Sequence, residues 1–192
     1  LFVTDDYEIA EGETIPDDFY TRRIKQFRFS VTGDQLTSEL LATFGEASGA
    51  GQLTKVESIL ADPAENRLLI AVEQGPSPGI KVYDLEGRFT GTSLDMLAFK
   101  GEPEGLALYL TDRHQLLVTT DQRDSRTVFH LYDRNTLAHL TSFHGGTTAN
   151  TDGIAVLSQG FTGYPAGVLL AIHDDQALSA FSWTDVITAL GL

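Results

Sequence analysis

The chain contains no cysteine. Disulfides, thiolate metal sites and cysteine nucleophiles are therefore excluded. Basic charge is also scarce: 13 lysines and arginines stand against 27 acids, a formal net charge of −14. Nucleic acid is a poor partner for such a surface, because phosphate-backbone binding depends on clustered bases that release counterions. An acidic balance suits multivalent cations, and equally plain solubility. No apolar run approaches the roughly 20 residues a membrane-crossing helix needs, so no membrane partner is expected. No secretory or transit signal is visible. The five histidines lack the paired spacing of a zinc site. Helical periodicity is nearly absent; only the tail, Thr184 to Leu190, reads as a helix, with Ser182 or Thr184 as its cap.

What remains is a chain that is 42% hydrophobic, enough for a sizeable core. Its apolar residues fall in short β-rich runs punctuated by Gly, Asp, Asn and Pro. It opens inside such a run, Leu1-Phe2-Val3-Thr4, without an initiator methionine. That beginning reads as a processed or truncated chain.

The runs repeat. Glu57 (in Val56-Glu57-Ser58-Ile59), Glu104 (in Pro103-Glu104-Gly105-Leu106) and Asp152 (in Thr151-Asp152-Gly153-Ile154) each begin one, 47 and 48 residues apart. A second run in each unit also ends in acid: Leu68 to Glu73, Leu116 to Asp121, Val168 to Asp174. A third follows in step, Lys81-Val82-Tyr83-Asp84 and His130-Leu131-Tyr132-Asp133. The period is near that of a propeller blade. The expected fold class is all-β, a β-propeller of four-stranded antiparallel blades. Two blades are complete, 54–95 and 103–144. A partial blade over 1–45 lacks its innermost strand, another over 151–183 lacks its outer one, and a helix over 184–190 closes the chain. Because a ring must close to remove its edges, the 192 residues are expected to form one propeller domain or the C-terminal part of a larger ring.

In a propeller the first strand of each blade lines the central channel. Glu57, Glu104 and Asp152 are therefore expected to converge near the axis, surrounded by Glu73, Asp121 and Asp174. Crowded carboxylates raise one another's pKa unless a counter-charge is present. Ca²⁺, which accepts many oxygen ligands in flexible geometry, is the expected resolution. Gly105 and Gly153, directly after two of these acids, would permit close backbone approach. Asp62, Asp84 and Asp133 read as turn formers, and Trp183, Tyr83, Tyr132, Phe27 and Phe29 as core. Gly75-Pro76-Ser77-Pro78-Gly79 matches the G-x-S-x-G pattern, but a proline and a strand follow instead of a helix, so it reads as a turn. An insertion, Tyr7 to Arg23, carries Glu8, Glu11, Glu13, Asp17 and Asp18 before Thr21-Arg22-Arg23. It reads as a face-capping or a mobile loop.

The acidic strand starts resemble those of the β-propeller phytases, also called alkaline phytases or 3-phytases. The matching stretches are Val56 to Ile59, Leu68 to Glu73, Pro103 to Leu106, Val128 to Arg134, Asn150 to Val156, Tyr164 to Leu169 and Phe181 to Trp183. The resemblance covers about Lys55 to the end. It implies a six-bladed, Ca²⁺-dependent phosphomonoester hydrolase acting on phytate or a similar phosphate ester. Glu57, Glu73, Glu104 and Asp152 would serve as catalytic cluster ligands, with Asp121 and Asp174 beside them at the metal. Lys55 is a candidate substrate-binding cation of this chain, with Arg22 or Arg23 in place of a family lysine. It also implies an extracellular or periplasmic location, and the N-terminal part of the ring as a second chain. The chain departs from the family at Gly145-Gly146-Thr147, where the family has an acid, and at Asp5-Asp6, where it has a lysine. Two other readings stay open: a binding or scaffold propeller with structural Ca²⁺ or none, and a metal-dependent hydrolase of the lactonase type.

Overall fold

The computed structural model describes residues 1–6, 12–13, 15–16, 18–94 and 99–192. The chain divides into two compact units, Leu1–Asp95 and Met96–Leu192. Among the described residues both are built from antiparallel sheets whose strands follow one another in chain order.

The first unit holds two sheets. One is β1 (Phe2–Thr4), β2 (Ile24–Thr32) and β3 (Gln35–Phe44); the other is β4 (Ile59–Asp62), β5 (Arg67–Val72), β6 (Gly79–Asp84) and β7 (Phe89–Leu94). All six residues of β5 are buried, the apolar run Leu68 to Val72 and Arg67 before it. Leu68, Ile70 and Val72 of β5 pack with Tyr83 of β6, Ile24 of β2, and Leu53 and Val56. The β6–β7 hairpin is tied by Asp84, whose carboxylate accepts the backbone N–H groups of Glu86 and Arg88 at 3.0 and 2.9 Å. That is the turn role expected of it. Asp62 differs: it is buried at the end of β4 and paired with Arg67 across the strand at 3.0 Å. Its sequence position suggested a turn, but a charge in the interior needs an opposite charge.

The second unit holds β8 (Glu102–Leu110), β9 (Gln115–Gln122), β10 (Val128–Asp133) and β11 (His139–His144) in one sheet. A second sheet is formed by β12 (Ile154–Leu157), β13 (Val168–His173) and β14 (Ala177–Ser182), followed by helix α1 (Trp183–Leu190). The helix starts one residue before the expected Thr184. Its first residue, Trp183, is buried and stacks on Tyr109 of β8 at 4.0 Å between ring centroids, 17° from parallel. Leu116, Val118, Phe129, Leu131 and Leu169 complete this core. Gly105 lets β12 approach β8: a Cβ there would lie 2.9 Å from the Ile154 side chain. Gly153 faces open space, so only the first of the two glycines serves close packing.

Trp183, Tyr83 and Tyr132 are buried as expected. Phe29 is not: it is 47% exposed on the outer half of the β2–β3 hairpin. Of the Tyr7–Arg23 insertion, Tyr7, Glu8, Glu11 and Asp17 lie outside the described residues.

The stacked Trp183 anchors α1 to the second unit. Trp183→Ala is expected to destabilise it by about 3–5 kcal/mol, the usual cost of removing a large core aromatic. Leu178→Ala, at a side chain 59% exposed, should stay within about 0.5 kcal/mol of the parent. Urea unfolding followed by far-ultraviolet circular dichroism reads both.

Candidate functional site

Glu57 and Glu73 come together in the first unit through backbone pairing that continues past the regular strands. The N–H of Ala71 donates to the Ser58 carbonyl at 3.0 Å, and the N–H of Glu73 to the Lys55 carbonyl at 3.1 Å. Residues 55–58 therefore run beside the end of β5. The Thr4 hydroxyl donates to the Glu57 carbonyl at 3.1 Å and ties β1 to the same segment. The Lys55 ammonium lies 2.8 Å from Glu73 Oε2 and 3.4 Å from Glu57 Oε1. The Glu73 side chain is only 1% exposed, against 43% for Glu57 and 29% for Lys55. The hydrogen bond to Glu73 pushes the Lys55 ammonium above its ordinary range, against the opposing effect of burial. This is a fixed carboxylate, a reachable one, and a cation between them.

The fourth sheet repeats this backbone pattern. Ile172 donates to the Gly153 carbonyl at 3.1 Å and Asp174 to that of Asn150 at 3.2 Å. Asp152 and Asp174 thus occupy the hydrogen-bonding positions that Glu57 and Glu73 hold in the second sheet. Their surroundings differ. Asp152 is exposed and accepts the Gln122 side-chain amide. Asp174 is exposed in the β13–β14 turn at a positive φ of 50° and accepts Asn150 Nδ2 at 3.3 Å and Gln176 Nε2 at 3.0 Å. In the third sheet Glu104 is buried on β8, next to the register shift that follows Pro103.

Asp121, at the end of β9, is wholly buried and already surrounded by donors. Its oxygens accept the backbone N–H groups of Lys100 at 3.0 Å and Gly101 at 2.7 Å, and Arg123 Nε at 2.8 Å. His130 Nε2 lies 3.6 Å away. Burial alone would push this carboxyl up; His130, Arg123 and the two backbone donors outweigh it and hold the group well below the usual carboxylate range. The arrangement makes Asp121 an internal anchor for the 99–101 segment, instead of the open metal ligand expected at this position.

The two arginines expected to meet substrate are not equivalent. Arg23 is buried, paired with Asp6 at 3.0 Å, with its guanidinium 4.6 Å from the Phe19 ring centre. Burial pushes it below its ordinary range. Arg22 reaches solvent and pairs with Asp18 at 3.3 Å. Both line a cleft of about 620 Å³ with Asp5, Phe19 and Lys25. The Lys25 ammonium in it is matched by Asp5 at 2.7 Å.

Two polar groups escaped the sequence reading. Lys81 is buried in β6 and donates to Ser77 Oγ at 3.0 Å; burial pushes it down. The loop before it leads into a strand, so no nucleophile elbow forms. His130 is buried in β10 and bonds Ser142 Oγ through Nδ1 at 2.7 Å; His139 Nε2 reaches the same hydroxyl at 2.9 Å. The only signal for either was a polar residue interrupting an apolar run. The chain matches no protein-family model and no curated protein.

Asp121→Asn is expected to cost about 2–3 kcal/mol at neutral pH, since it removes a buried, charge-paired acceptor. The folded carboxyl is depressed, so its stabilisation is complete above the unfolded pKa and is lost on acidification below about pH 4. Urea titrations between neutral and acidic pH should show a shallower acid dependence in the variant.

Proposed function

We propose that the four sheets are blades of a β-propeller and that the chain belongs to a Ca²⁺-dependent phosphate-ester hydrolase, acting on phytate or a related polyphosphate outside the cell or in the periplasm. The observation that carries this reading is the pair of carboxylates, Glu57 and Glu73, converging on one cation. The ordered phytase-like motifs and the matching backbone positions of Asp152 and Asp174 support it. The donor set fits a hard cation, because both side chains present carboxylate oxygens to a point that already attracts positive charge.

The ligands of this reading are Glu57 and Glu73, joined through the repeat by Glu104 and Asp152. Asp121 does not fit as a ligand, since Arg123 and two backbone N–H groups hold its oxygens. Asp174 fits poorly for the same reason, with Asn150 and Gln176 on its carboxylate. Glu73 is the immobile partner, held by its burial. Glu57, partly in solvent, is the carboxylate that can meet an incoming water. Lys55 places a positive charge where a phosphate oxygen would arrive. Calcium bound here would neutralise phosphate charge and lower the pKa of a coordinated water.

A second reading draws on the same ion pair. If Lys55 is the permanent counter-ion, the sheets form a binding or scaffold module without chemistry. Phosphate release from phytate, measured with Ca²⁺ and again after chelation, separates the two. Chelator-sensitive release is expected, and Glu73→Gln should reduce it at least about 10- to 100-fold. Release that survives chelation, or calcium that raises the melting temperature without any release, sinks the hydrolase reading.

A further inference from the structure

We propose that Lys55 is an exchangeable counter-ion: its ammonium and a divalent cation compete for Glu57 and Glu73, and metal loading frees Lys55 to bind a phosphate oxygen. This rests on the reading of those two carboxylates as metal ligands.

Several constraints apply, and the first is spatial. The ammonium sits 2.8 Å from one carboxylate oxygen and 3.4 Å from the other. A calcium ion needs about 2.3–2.6 Å to each oxygen it binds, so it and the ammonium cannot share the space between the two groups. The second is electrostatic. Glu73 is 1% exposed, and a buried carboxylate that loses its cation is strongly penalised. Replacing the Lys55 ammonium with another cation keeps Glu73 compensated, which makes the event an exchange. The third is the side chain itself. Lysine is a compact charge on a flexible four-carbon stem, and this one is 29% exposed, so it can swing outward without unfolding anything. Glu73, held by β5, cannot.

The repeat gives a fourth. The position of Lys55 relative to Glu57 is taken by Glu102 relative to Glu104 and by Asn150 relative to Asp152. Asn150 bonds Asp174 with a neutral amide, which neither competes with a metal as a charge nor attracts a phosphate as one. The ammonium is specific to the first of the three repeated sites.

Calcium titration calorimetry on the full chain and on Lys55→Met tests the exchange. Removing the competitor should tighten calcium binding roughly three- to tenfold, and calcium should raise the melting temperature more in the variant than in the parent. Inorganic phosphate should strengthen calcium binding in the parent and leave Lys55→Met unchanged. Equal or weaker calcium affinity in Lys55→Met overturns the exchange. If the parent still binds calcium and Glu73→Gln does not, the ligand assignment survives that failure; absence of calcium binding in parent and variant overturns both. Should Lys55→Met not fold, Lys55→Gln takes its place. The ¹⁵N-detected Lys55 ammonium in the parent then gives the second readout: faster exchange of its protons with water on calcium addition is expected, and no change overturns the proposal.

Discussion

A carboxylate drawn into the protein interior must bring a positive partner with it, and this requirement organises the polar structure of the chain. With a formal charge of −14, cations are the limiting resource. Three buried acids each have a cation of their own: Asp62 with Arg67, Glu73 with Lys55, Asp121 with Arg123. Arg23, another buried cation of the first unit, is matched in turn by Asp6. These pairs are weak evidence for net stability, because desolvation offsets much of their attraction. They do fix local geometry. Asp62–Arg67 holds the register of β4 against β5, and Asp121 pins residues 99–101 to the end of β9.

The same requirement separates acids whose oxygens are already taken from acids that a proposed metal would reach. A carboxylate whose lone pairs already accept backbone N–H groups and a guanidinium, as in Asp121, would have to surrender several charge-assisted bonds to bind an ion. Glu73 is met by the Lys55 ammonium on its flexible stem, and Glu57 is partly in water. Acids equivalent by repeat position are thus not equivalent in chemistry.

The all-β character and the antiparallel sheets were legible in the sequence. The acid-terminated runs located β5 and β13, and the hairpin spacing gave the sheets their strand order, because two-residue alternation and turn chemistry are local properties. The starts of the first strands were less legible. The runs at Val56 and Asp152 were expected to be strand from their first residues, whereas β4 begins at Ile59 and β12 at Ile154. The acid-bearing residues there keep some hydrogen bonds to the neighbouring strand without continuing the ladder, and local pattern does not encode that distinction. In the candidate site, sequence located the acids but not which of their oxygens are in use. The donors to Asp121 come from residues 100, 101 and 123, and only folding brings the first two onto β9. Likewise Arg22 and Arg23 are adjacent in sequence yet opposite in exposure, because the turn over Tyr20–Arg22 sends one outward and the other under Phe19.

The local charge balance constrains the order of events in any phosphate chemistry at Glu57 and Glu73. Glu57 and Glu73 with the Lys55 ammonium leave net negative charge there, on a protein that is negative overall. A polyphosphate is repelled by that arrangement. On the hydrolase reading, bound divalent cations offset that charge and a displaced ammonium adds its own attraction as the anion approaches. On that reading metal precedes substrate, and the acidic surface that otherwise repels the ligand makes the metal-free state a poor trap for it. A scaffold would have no need of this offset, because its ion pair is complete as it stands. Whether the Lys55 bridge is an endpoint or a resting state is the physical difference between the two readings.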